Sequence, residues 1–156
     1  MIKVLIAGEG GQGVQVIAEI LARAAFLENK KALYIPNFGV EQRGGVSLAF
    51  VIIDDKSVVY PKFAKADILA VLADRSWERV KNYLGEKTKV IEGPAITGQD
   101  KGLPVKTWNI LVLRQINQAG QIVSQKNLIQ ALEERLAGQF KKNPELKELD
   151  LKAVNQ

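Results

Sequence analysis

The first 28 residues restrict the fold more than any other stretch. Ile2-Lys3-Val4-Leu5-Ile6-Ala7 is a short apolar run, the pattern of a strand buried on both faces. It leads directly into Gly8-Glu9-Gly10-Gly11-Gln12-Gly13. Val14, Ile17, Ala18, Leu21, Ala22 and Ala25 then repeat at helical spacing. Gly8, Gly10 and Gly13 give the G-x-G-x-x-G spacing between a strand and a helix. Such a turn lets backbone N–H groups approach an anion, and the helix start adds the positive end of its dipole. The same glycines also serve tight turning and close helix-to-strand packing, with no ligand involved.

The next segment weakens a dinucleotide reading. Lys31-Ala32-Leu33-Tyr34-Ile35 predicts a second strand, and a dinucleotide site calls for Asp or Glu at its end to hold the ribose. Here the strand runs into Pro36-Asn37-Phe38-Gly39, and Glu41 lies further out in the connection.

Residue types that are missing exclude whole classes of chemistry. The chain has 0 Cys and 0 His. It therefore supplies no thiolate to an iron–sulfur cluster, no His-based zinc site, no thiol nucleophile and no imidazole base. The 156 residues fit a single domain, 1–156. The net charge of +5 is spread among acidic residues, as in Lys141-Lys142-Asn143-Pro144-Glu145, which reads as a solvated surface and not a nucleic-acid site. No run of about 18 apolar residues predicts a membrane span. The N-terminus lacks an export-signal pattern, so a cytoplasmic location is expected.

Further along, Val46 to Ile53 predicts a strand, Asp54-Asp55-Lys56-Ser57 a turn, and Val58-Val59-Tyr60 a short partner strand in a hairpin. Asp67 to Ala73 is a second buried strand. Asp74-Arg75-Ser76 is placed to cap a helix whose inner face carries Trp77, Val80 and Leu84. Lys89-Val90-Ile91 is a weak strand, and Glu92 to Lys106 is loop-like with an edge strand near Val105. Three helices follow: Asn109 to Gln118, one starting at Ser124 to Asn127, and a last one with Pro144 in its first turn. The expected architecture is α/β: a three-layer Rossmann-like sandwich with a mostly parallel, mixed sheet and helices on both faces.

A right-handed βαβ unit sends the connections after its two strands to the same sheet edge. Gly10 to Gly13 should then lie near Gly39 to Gly45, with Arg43 between glycine features and Gly44-Gly45 offering almost no side chain. The candidate residues for an anion or a partner chain are Gly8, Gly10, Gly11, Gln12, Gly13, Glu41, Arg43, Gly44 and Gly45. A plain salt bridge from Arg43 to Glu41 or Glu9 is the alternative use of that cation. No residue is marked as catalytic or as a metal ligand.

Gly8-x-Gly10-Gly11-Gln12-Gly13-Val14, Gly39-x-Glu41-x-Arg43-Gly44-Gly45 and Ala66-Asp67-Ile68-Leu69, in this order, resemble the gamma subunit or gamma domain of 2-oxoacid:acceptor oxidoreductases. Gln42-Arg43-Gly44-Gly45 is similar to the indolepyruvate type, in which the corresponding subunit is called beta. The resemblance implies oxidative decarboxylation of a 2-oxoacid to an acyl-coenzyme A. It implies thiamine diphosphate, magnesium, iron–sulfur clusters and coenzyme A in the whole complex, and none bound by this chain alone. It implies thiamine diphosphate-binding and ferredoxin-like subunits as partners, and an isolated chain that is inactive or self-associates as a homo-oligomer. The competing reading is a free-standing nucleotide or coenzyme A binding module.

Overall fold

The computed structural model describes residues 1–38, 45–59, 62–96 and 101–156. The strands are β1 (Ile2–Glu9), β2 (Lys31–Phe38), β3 (Val46–Asp54), β4 (Ile68–Val71) and β5 (Lys89–Glu92). The helices are α1 (Val14–Leu27), α2 (Trp77–Val80), α3 (Trp108–Gly120), α4 (Gln125–Lys142) and α5 (Pro144–Val154). The strands form one sheet in the order β2-β3-β1-β4-β5. β4 is parallel to β1, and β5 is parallel to β4. β3 lies antiparallel to both β1 and β2, so β2 points the same way as β1 without touching it.

This corrects the expected hairpin. The antiparallel partner of β3 on the chain is β2, paired from Lys31↔Asp54 to Phe38↔Ser47. The other edge of β3 is filled by β1, from Ile2↔Ile53 to Glu9↔Val46. With both edges taken, Val58 and Val59 have no ladder to join and lie outside any strand. The rest of that expected strand, Tyr60, falls outside the described residues, as do Gly39, Glu41, Gln42, Arg43 and Gly44. β1 and β2 are thus not neighbours in a simple βαβ unit. Their carboxyl ends still share one rim, because they run in the same direction.

β1 is buried on both faces, as its unbroken apolar run requires. Val4 and Ile6 join the cluster under α1 and α3, while Leu5 and Ala7 join a smaller cluster on the other face. Burying each such large side chain contributes about 1.5–3 kcal/mol. Helices lie on both faces, as expected, but in unequal shares. α1 and α3 rest on the sheet, α4 packs on α1, and α5 packs on α3 and α4. The second face is covered by residues 62–66 and the short α2 with its flanking single turns, Asp74–Ser76 and Lys81–Tyr83. There Tyr83 meets Phe50 and Phe63 edge to face at 5.5 and 6.0 Å, and the two Phe rings lie tilted at 5.5 Å.

The cap expected at Asp74-Arg75-Ser76 is not made: no side chain caps α2, and the Ser76 hydroxyl is buried without a hydrogen-bond partner. Val105 belongs to a single 3₁₀ turn, Val105–Thr107, and not to an edge strand. The Ser124 cap does form, its hydroxyl accepting from the Asn127 N–H at 3.3 Å, and Pro144 opens α5. No described helix is long and apolar enough to cross a membrane.

Glu28 ties the end of α1 to the start of α4. Its Oε1 accepts from the backbone N–H of Ser124 and from Asn127 Nδ2, and its Oε2 pairs with Lys30 Nζ at 3.2 Å. Burial pushes the Glu28 carboxyl up, but the hydrogen bonds from Ser124, Lys30 and Asn127 together outweigh it and hold the pKa at about 2. A carboxylate depressed in the fold stabilises above its unfolded pKa and loses that contribution as the pH falls. Glu28→Gln is therefore expected to cost about 1–2 kcal/mol near neutrality. Urea unfolding of both proteins should show the difference shrinking as the pH drops below about 4.5 toward about 2. A difference that stays constant over that window contradicts the assignment.

Candidate functional site

The glycine turn after β1 is locked by its own side chain. Gln12 Oε1 accepts from the Glu9 N–H at 2.7 Å, and Gln12 Nε2 donates to the Leu72 carbonyl at 3.4 Å. Leu72 follows β4, so Gln12 fastens the turn to the neighbouring strand end. A Cβ on Gly8 would lie 2.8 Å from Gln12 Oε1 and from Val14 Cγ2, which requires glycine where α1 folds back on β1. Gly13 is the N-cap of α1 at φ 81, and Gly11 has φ 90, both in the left-handed region that favours glycine.

The second glycine feature reaches the first through the backbone. The Gly10 N–H donates to the Gly45 carbonyl at 3.0 Å. Gly45 directly precedes β3, so the connection after β2 returns to the sheet against the glycine turn. Gln15, in the first turn of α1, reinforces the join. Its Nε2 donates to Ser47 Oγ at 2.8 Å and to the Leu48 carbonyl at 2.9 Å, and its Oε1 accepts from the Tyr34 hydroxyl. Burial, then the negative charge of Glu19, raises the Tyr34 pKa, with Arg135 opposing. Of the residues singled out in the sequence, Gly8, Gly10, Gly11, Gln12, Gly13 and Gly45 therefore gather at one rim. Glu41, Arg43 and Gly44 lie outside the described residues.

A cleft of about 310 Å³ opens at this rim. Gly11, Gln12 and Gly13 form one wall, and Lys106, Trp108 and Asn109 at the start of α3 form the opposite one. Neither α1 nor α3 has a side-chain cap: Gly13 has no side chain, and the Thr107 hydroxyl is committed to the Pro104 carbonyl at 2.8 Å. The start of α1, with backbone N–H groups left over, thus faces the cleft, an arrangement suited to negative charge, while α3 continues the Val105–Thr107 turn and its Trp108 N–H donates to the Val105 carbonyl. Asn109 closes on the turn so tightly that its Nδ2 would lie 2.5 Å from a Cβ on Gly13. Its Oδ1 is buried without a partner. Gly93, after β5, completes the floor where a Cβ would meet the Leu72 backbone at 2.7 Å.

Lys106, Trp108, Asn109 and Gly93 were not among the residues marked in the sequence. Their contribution depends on chain segments distant from the glycine turn, and only the loop-like character of residues 92–106 hinted at a rim there. The sheet order also explains the missing ribose carboxylate. β3 stands between β2 and β1, so the end of β2 is not adjacent to the glycine turn, as a dinucleotide site requires. Among the described residues, no group of three or more Asp, Glu, His or Cys is placed to hold a metal ion.

The chain as a whole is similar to known proteins. Residues 3–106 match the family model for pyruvate ferredoxin/flavodoxin oxidoreductase. The 2-oxoglutarate synthase subunit KorC of Methanocaldococcus jannaschii is 35% identical over 100 residues, 64% of this chain and 54% of that protein. This chain thus aligns with about half the length of that relative. The common gamma subunit of the pyruvate/ketoisovalerate oxidoreductases of Pyrococcus furiosus is 30% identical over 167 residues, covering 90% of this chain and 89% of that one. In solved structures the same fold recurs in the 2-oxoglutarate:ferredoxin oxidoreductase of Magnetococcus marinus, determined with 2-oxoglutarate, coenzyme A and succinyl-CoA bound. The TM-score is 0.82 at 17% identity, over 99% of this chain and 30% of that one. The chain belongs to the pyruvate ferredoxin/flavodoxin oxidoreductase family, in its gamma-type branch.

Gly13→Ala is expected to destabilise the fold by about 2–3 kcal/mol, because left-handed strain adds to the collision with Asn109. Gly11→Ala, with the same strain but no atom within 4 Å of its Cβ, should cost only about 1 kcal/mol. Asn109→Gly placed on Gly13→Ala should recover the collision part. Chemical denaturation of the four proteins checks this, and equal losses for the two glycine variants contradict it.

Proposed function

We propose that this chain works as the gamma subunit of a 2-oxoacid:ferredoxin oxidoreductase, with residues 1–156 acting as a single gamma-type domain. The reaction is oxidative decarboxylation of a 2-oxoacid to an acyl-coenzyme A, with electrons passed to ferredoxin. The present chain has a docking and positioning role. One observation carries this reading: the glycine turn and the start of β3 are joined by the Gly10 to Gly45 hydrogen bond at one rim. The rim combines nearly side-chain-free backbone with the uncapped start of α1, in a chain that has 0 Cys and 0 His.

The residues present do not fit the family's redox and thiamine cofactors. A chain without Cys supplies no cluster thiolate. Among the described residues, no group of three or more Asp, Glu, His or Cys is placed to hold the magnesium of a diphosphate. Those cofactors are assigned to thiamine diphosphate-binding and ferredoxin-like partner subunits. This chain contributes the rim itself. Gln12 and Gln15 hold its two halves in register, and backbone N–H groups at the start of α1 receive an anionic group of the partner or its ligand. Glu41, Arg43 and Gly44, outside the described residues, are proposed from the sequence as further docking residues.

A second reading is favoured by the cleft. Its volume, Trp108 wall and the uncapped start of α1 suit a phosphorylated ligand, so the chain on its own would act as a nucleotide or coenzyme A binding module. Titration calorimetry with NAD(H), FAD, ATP and coenzyme A separates the readings, since the docking role alone requires no heat with any of them.

Co-expression with thiamine diphosphate-binding and ferredoxin-like chains from the same source tests the main reading. Stoichiometric co-elution from a sizing column is expected. Arg43→Ala is expected to reduce co-elution or turnover at least about tenfold while leaving the melting temperature within about 2 °C. Failure of the wild-type chain to co-elute contradicts the proposal, as does a parallel loss of melting temperature and activity in the variant.

A further inference from the structure

Asp150 is a charged residue in an apolar place. It lies on α5, is 3% exposed, and its Oδ1 has no hydrogen-bond partner. Such an atom costs stability unless it has a purpose or a second state. α5 packs on the Val105–Thr107 turn, the segment that delivers α3 to the cleft. Lys106 in that turn lines the cleft and is the charge that acts on Asp150.

We propose that Asp150 sets the charge of the cleft through Lys106, so that affinity for an anion rises as the medium becomes more acidic. This rests on the reading of the cleft as an anion site. When Asp150 is ionised, its negative charge offsets the field of Lys106 and repels an anion at the start of α1. When it is protonated, Lys106 and the N-terminus of α1 act unopposed. Burial raises the Asp150 carboxyl to about 6, with Lys106 pulling the other way. The chain has 0 His, the usual source of a charge change in this range, so a buried carboxyl takes that place.

The other charges around Asp150 have different commitments. α3 carries one charged residue, Arg114. α4 meets α5 through the Glu133–Lys147 pair at 3.5 Å, while Glu134 and Arg135 pair with Arg23 and Glu19 on α1. Lys126, Lys141 and Lys142 of α4 are exposed, as are Glu145 and Glu148 of α5. Lys152 of α5 donates to the Lys101 carbonyl at 2.9 Å. By linkage, a bound anion raises the proton affinity of Asp150 to the same extent that the proton raises anion affinity.

The test uses sulfate, whose charge is constant over the window, titrated into the full chain and followed by amide NMR at about pH 5 and about pH 7.5. Wild type should bind sulfate about fivefold more tightly at the lower pH than at the higher one. Asp150→Asn should remove most of that ratio, and Lys106→Gln should weaken binding at both pH values. An unchanged ratio in Asp150→Asn overturns the proposal. Should sulfate bind at neither pH, the anion reading of the cleft fails, and the Lys106 amide shift followed against pH without sulfate decides the remainder. A midpoint near 6 that disappears in Asp150→Asn supports the coupling of the two residues, and a flat wild-type profile overturns it.

Discussion

The hydrogen bond from the Gly10 N–H to the Gly45 carbonyl is the contact on which the rest of the rim depends. It forms because β3 lies between β2 and β1 and must begin beside the end of β1. The Glu9↔Val46 pair closes the antiparallel ladder, and the next step outward is glycine facing glycine. Gln15 then fixes the start of β3 to the first turn of α1, and Gln12 fixes the turn to the end of β4. Three strand ends and one helix start become a rigid unit without using a single charged group.

That arrangement lets a chain without Cys or His present a fixed rim for the docking role proposed above. Backbone N–H groups at the start of α1 are fixed in direction and, unlike side-chain charges, do not titrate. The neighbouring ion pairs, Arg75 with Glu9 and Lys81 with Glu78, are exposed pairs of small energetic weight. Apolar burial beneath α1 and α3 supplies the stability, and the rim uses it to hold polar backbone in an otherwise unfavourable arrangement.

Local signals in the sequence were legible, and nonlocal ones were not. β1 and β4 could be read because strands buried on both faces are unbroken apolar runs, and the Ser124 cap and Pro144 start could be read because both are local chemistry. The place of β3 could not be read, since its apolar pattern is the same whether its partner is β2 or Val58 and Val59. At the rim, Gly8 and Gly13 announced themselves by spacing. Asn109 did not, because its role is to meet Gly13 from another helix. Asp150 was one carboxylate among several on a mixed-charge helix, and only the packing of α5 on the Val105–Thr107 turn sets it apart.

Hydrogen–deuterium exchange of the chain alone and within its co-purified complex tests the central claim most directly. The account predicts added protection concentrated at residues 8–13, 45–48 and 105–112, where the glycine turn, the start of β3 and the start of α3 meet. Protection confined to the outer surfaces of α4 and α5, with those three segments unchanged, would contradict it.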